Sequence, residues 1–168
     1  MGLAVLAMTL LRSAPGDAVT PDGARSAVGA VFGHGNWRAD HGDDHVVELG
    51  GRWQPLHFLL TGDAWEGDRP AADLLGGGVL LTEDDTLREK IGADVLYLTA
   101  DRVAAAAGAL AGTEPDHLLE RMDPGEMTRA GVAGDPGGAE TVRADHDRLA
   151  VFYEAAAADG QVVYKLMS

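Results

Sequence analysis

The sequence predicts an α+β protein: a single domain whose small mixed sheet of about four strands packs against several helices, with strands at both termini. Three observations predict this. Leu3 to Leu11 is an apolar run with Thr9 as its one polar residue, and "QVVYKLM" has the same strand character at the other end of the chain. Between them, most segments carry helix punctuation, with Thr or Pro at their starts and Gly at their ends. A chain of 168 residues is one domain in size, and residues 1–168 contain neither an internal repeat nor a linker. Folding at that length buries roughly 70% of the extended chain's surface, so a core needs neither disulfide nor metal.

The first strand ends at "SAPGD", a turn signal. Thr20 then offers a side-chain cap with Pro21 in the first helical position, and Val28, Val31 and Phe32 give that helix one apolar side. "GHGNWRADHGDDH" shows no periodicity and reads as a surface loop. "LGGRWQPLHFLLTG" fits a helix better than a strand. Leu49, Trp53, Leu56, His57 and Leu60 fall on one helical face, Pro55 sits in the first turn, and Gly62 terminates. "DRPAADLLGGG" supplies one or two helical turns, and "GGVLLTEDD" a short strand with an acidic turn. The strand Val95 to Leu98 leads through the cap Thr99 into an alanine-rich helix over 100–111. Thr113 is expected to cap the next helix, with Pro115 in its first turn and Asp116 completing a capping box. A further helix is expected over 124–130. The longest runs from Thr141 to about Asp159, ends at Gly160, and leads into the last strand.

Composition excludes several functions. Thirteen basic against 27 acidic residues give a formal charge of −14, a field that repels phosphate backbones, and no basic cluster offsets it. Nucleic acid is therefore not an expected partner, whereas a basic protein is. The absence of cysteine removes disulfides, thiolate zinc sites and cysteine nucleophiles, and suits the cytoplasm. The opening apolar run has the length of a signal-peptide core. However, no Lys or Arg precedes it and Arg12 follows it, so a buried strand is the better reading. No segment approaches the length of a membrane span.

The residues 56–70, "LHFLLTGDAWEGDRP", hold the candidate site. His57 could act as a base beside Asp63, or could be a buried histidine bonded to a carbonyl or to Asp63. Thr61, Asp63, Trp65, Glu66 and Asp68 could line a contact loop with Trp65 as its anchor, or could close a helix with Trp65 folded onto the core. His34, Asp40, His41, Asp43, Asp44 and His45 are metal-ligating residue types, but Gly42 argues against a helix that presents His41 and His45 together. Neither metal nor cofactor is expected. "GDPGG" and "LLGGGVLL" lack the Lys-Ser/Thr of a phosphate loop. Asp84, Asp85 and Asp145-His146-Asp147 are expected to face solvent, and Ser13, Ser26 and Ser168 lack the setting of a nucleophile.

In order and kind, these motifs resemble the YfbM-like family of bacterial proteins, a domain of unknown function. "RWQPLHFLLTGDAWEGDRPAADLLGG" is similar to its signature, a Trp before a Leu-His-Phe-x-Leu-Thr-Gly run, matched by Trp53, Leu56, His57, Phe58, Leu60, Thr61 and Gly62. "YLTADRVAAAAGAL", "LLERMDPGEMTRAGV" and "LAVFYEAAAADGQVVYKLM" resemble its later segments. The chain departs from the family at Gly51-Arg52, where an Asp-Lys pair is usual, and at "AGDPGG", where the Tyr of a Tyr-Pro-Gly loop is missing. The resemblance implies one α+β domain and no established activity. The expected function is that of a non-enzymatic binding protein of the bacterial cytoplasm, in its sharper form an immunity-type protein whose acidic surface neutralises a basic partner. The alternative is a small enzyme with a cleft around His57, Asp63 and Glu66, joined by Tyr97. The binding residues expected are His57, Thr61, Asp63, Trp65, Glu66 and Asp68, with no catalytic set.

Overall fold

In the computed structural model, which describes residues 6–33 and 35–168, two helical layers enclose a five-stranded sheet. The strands are β1 (Met8–Ser13), β2 (Val46–Gly50), β3 (Val79–Leu80), β4 (Asp94–Leu98) and β5 (Val162–Met167). Their order across the sheet is β2-β1-β5-β4-β3. Every pairing is antiparallel, where a mixed sheet of about four strands is expected. The connections explain this: the segments from β1 to β2 and from β4 to β5 each bring the chain back to the end of the sheet it left, whereas parallel neighbours need a crossover to the opposite end.

The burial of β1 on both sides follows from helices on both faces. Leu10 and Leu11 point opposite ways, and both are fully buried. On one face, α3 (Trp53–Thr61), α5 (Ala100–Ala111), α6 (Pro115–Glu120), α7 (Pro124–Arg129) and α8 (Ala139–Ala158) close the larger core around Leu10, Trp53, Leu98, Leu149 and Val163. On the other, α1 (Pro21–Phe32) and α4 (Asp85–Ile91) cover Leu11, Val95, Tyr97 and Tyr164, with Trp37 of α2 (Trp37–His41) edge-on against Phe32 at 5.0 Å. Among the described residues no helix is long and apolar enough to cross a membrane.

Local signals set most boundaries. Thr20 accepts a hydrogen bond from the Gly23 amide, and Thr99 one from the Arg102 amide. Gly62 takes the left-handed conformation (φ 81°) that ends α3. Four expectations are corrected. β1 starts at Met8 and runs on to Ser13; Leu3 to Val5 lie outside the described residues. Leu49 belongs to β2, because "VVELG" alternates Val47 and Leu49 inward with Glu48 outward and then turns at Gly50 (φ 55°). The acidic turn after β3 starts a helix: Asp84 caps α4 by accepting from the amides of Thr86 and Leu87. Thr113 instead donates to Ala109 at the end of α5, leaving Glu114 at the cap position of α6.

The triplet on α8 also differs from expectation. Asp145 is buried and accepts Arg52 on both oxygens at 2.8 and 3.1 Å, with Arg148 at 3.4 Å, while buried His146 is bonded through Nε2 to the Thr113 carbonyl at 2.7 Å. Only Asp147 faces solvent. Asp145 meets Arg52 just before α3, and His146 meets Thr113 just before α6, so a polar triplet need not be an exposed one.

Candidate functional site

The expected contact loop grows from the C-terminus of α3. Residues Trp53 to Leu60 are all buried, so this helix is enclosed on every side rather than amphipathic. Past Gly62, the Asp63 carboxylate accepts from the amides of Trp65 at 2.9 Å and Glu66 at 2.8 Å. Those two bonds, the Glu66 amide first, hold the carboxyl below its usual range. Thr61 donates to the His57 carbonyl at 2.9 Å and accepts from the Asp63 amide at 3.1 Å. Gly67 (φ 121°) lies over the Thr61 side chain, where a Cβ would come within 2.7 Å of the Thr61 Cβ. Inside the loop, buried Gln54 donates to the Ala64 carbonyl at 3.1 Å.

This scaffold presents Trp65 half-exposed, at 52% of its surface, with its ring edge-on against buried Trp53 at 5.6 Å. Asp63, Glu66 and Asp68 of the same loop are exposed. Thr61 is half-buried beneath, and His57 is completely buried behind. The 63–68 loop therefore exposes Trp65 and three acidic residues, with buried His57 bonded to its Glu66 carbonyl.

His57 joins two backbone segments. Its Nε2–H donates to the Glu66 carbonyl at 2.7 Å, and its Nδ1 accepts from the Gly76 amide at 3.2 Å. Burial lowers its pKa; the Glu66 carbonyl opposes this, Lys165 adds to it, and Asp63 opposes it. Tyr97, proposed as a partner of His57 in a catalytic cleft, lies on the opposite face of the sheet and donates to the Ala18 carbonyl. The two side chains do not converge.

Beneath this lies a polar cluster that sequence reasoning missed. Lys165, fully buried on β5, donates to the carbonyls of Asp73 and of Gly77, the latter at 2.6 Å. Burial lowers its pKa to about 7, against the pull of Asp73 and with the push of Arg102. Arg102 clamps the Asp73 carboxylate through two bonds of 2.8 and 2.6 Å, and Tyr153 donates to the Leu74 carbonyl at 2.5 Å. The available signals were a lone Lys inside "VVYKLM" and a lone Asp inside "AADLL".

Of the residues from the His-rich stretch, His41 Nδ1 pairs with the Trp37 carbonyl at 2.7 Å, and His34 lies outside the described residues. Among the described residues, no three His, Asp or Glu side chains are grouped to hold a metal ion. An open cavity of about 400 Å³ lies beside α7, lined by Met122, Met127, Val132 and Pro136. Close by, a Cβ on Gly134 would come within 2.6 Å of the Gly51 carbonyl. The segments holding Gly51 and Gly134 thus lie against each other.

Residues 31–164 match the family model described as a domain of unknown function, DUF1877. A solved structure, the protein of unknown function YfbM from Escherichia coli, is similar with a TM-score of 0.66 and 13% identity, over 96% of this chain and 99% of that one. At that identity the likeness concerns the fold. No curated protein matches the chain.

Proposed function

The chain belongs to the DUF1877 family of domains of unknown function, and on that premise we propose that it is a non-enzymatic binding protein that captures a basic protein through the 63–68 loop. The observation that carries this reading is half-exposed Trp65, standing among Asp63, Glu66 and Asp68 on a loop already held in shape by the Asp63 and Thr61 bonds. A rigid, partly exposed indole provides contact area with little ordering cost, and its face attracts Lys and Arg. The carboxylates and the formal charge of −14 steer a cationic partner toward it. His57 supports the loop rather than chemistry, since both ring nitrogens are already engaged.

An immunity-type role in the bacterial cytoplasm is the sharper form, with a basic toxin domain as the partner. The test is capture by the immobilised chain at low salt, followed by identification of what is retained. A basic protein held at low salt, released by salt, and bound roughly 30-fold more weakly by Trp65→Ala is the expected result. Retention of no basic protein at low salt refutes the proposal, as does capture that Trp65→Ala leaves unchanged.

A further inference from the structure

We propose that His57 is an acid-sensitive latch: its neutral ring joins the Trp65–Gly67 segment to the turn at Gly76, and protonation parts them. The proposal concerns regulation of the contact loop and rests on the function proposed for it. Its basis is the pair of hydrogen bonds made by one imidazole. The Glu66 carbonyl requires a proton on Nε2, and the Gly76 amide requires a lone pair on Nδ1. Only the neutral Nε2–H tautomer satisfies both. A second proton on Nδ1 would place two N–H groups facing each other across 3.2 Å in a buried site.

The fit leaves no room for accommodation. A Cβ at Gly76 would lie 3.0 Å from His57 Cε1 and 3.1 Å from both His57 Nδ1 and the Trp65 carbonyl, so ring, loop and turn are in close contact. The turn cannot follow the ring freely, because Lys165 holds the carbonyls of Asp73 and Gly77 on either side of Gly76. The charged groups facing the imidazole are Lys165 and Asp63, and Asp73 and Arg102 lie behind Lys165. Exposed Asp63 favours the imidazolium, while buried Lys165 and the desolvated setting oppose it. The latch therefore stays closed through the ordinary imidazole range and opens below it. Gln54 keeps its own hold on the Ala64 carbonyl, so opening detaches the Glu66 half of the loop and leaves the Ala64 half in place.

The experiment follows the nitrogen resonances of the His57 ring and hydrogen exchange at the Gly76 amide in the free full-length chain, from about pH 8 to about pH 5. Expected at the upper end are an Nε2–H tautomer and a protected Gly76 amide. Below the ordinary imidazole value, Gly76 protection, corrected for intrinsic exchange, should fall roughly tenfold per pH unit until the folded His57 is itself protonated. In His57→Gln, whose amide can donate and accept without titrating, that fall should disappear. An Nδ1–H tautomer at neutral pH, or Gly76 protection unchanged below the ordinary imidazole value, overturns the latch. With no partner present, these readouts stand or fall independently of whether a basic protein is captured.

Discussion

Raising the pH from about 7 to about 9 should make this protein more stable, and Lys165 should be the reason. Unfolded, its amine titrates near 10.5; folded, without contact with water and set on two carbonyls, near 7. Between those values the unfolded chain binds a proton that the folded chain has released, so stability rises with pH across the window. At pH 7 the folded amine is about half charged; by pH 9 it is essentially neutral, while the unfolded amine is still almost fully charged. The linkage integral over those two units is about 2 kcal/mol in favour of the folded state at the higher pH. The interval lies above His57, whose pKa is lowered, and below the buried tyrosines Tyr97, Tyr153 and Tyr164, whose pKa values are raised above 10.0. The assay is urea unfolding at both pH values for the native chain and for Lys165→Met, which fills the space without titrating. A midpoint that climbs with pH in the native chain and stays level in the variant is the expected result. The same climb in both proteins would refute the assignment to Lys165.

Arg52→Ala should cost about 3 kcal/mol, since it strips the bidentate partner from a carboxylate on buried Asp145; urea unfolding at neutral pH measures this. Gly76→Ala should destabilise by about 1–3 kcal/mol, because its Cβ meets the His57 ring and the Trp65 carbonyl at 3.0–3.1 Å; a thermal melt reports the loss, and a neutral or higher midpoint contradicts the close contact. Thr99→Ala removes the cap of α5 and should cost about 1 kcal/mol, with Thr99→Ser restoring most of it in the same assay.

Much of the fold was legible because its signals are local. Thr20, Thr99 and Gly62 each act through their own neighbours, and their roles depend on nothing far away in the chain. Strand β2 was harder to see because five residues beside a helix admit either period, and Leu49 satisfies both. Thr113 shows the same ambiguity at the level of one hydroxyl, which can serve the helix behind it as readily as the one ahead. At the candidate site, the turn chemistry of Asp63 and the terminating Gly62 could be read from the sequence. The cluster of Asp73, Arg102, Tyr153 and Lys165 could not. Its members come from a turn, two helices and the last strand, and only the sheet order brings them together. A fully buried Lys165 contradicts composition rules that place lysine outside, and such contradictions are resolved by tertiary partners rather than by pattern.

The position of β5 has a consequence for biogenesis. It lies between β1 and β4, so without it the sheet falls into two unconnected ribbons, β1–β2 and β4–β3. A ribosome delivers β5 after the other four strands, and until it docks both ribbons present open edges. Such a nascent chain is a natural client for chaperones and a target for mispairing with its neighbours. The main barrier to folding is then expected at the docking of this one strand, when the Lys165 amine must shed its water to reach the two carbonyls that await it.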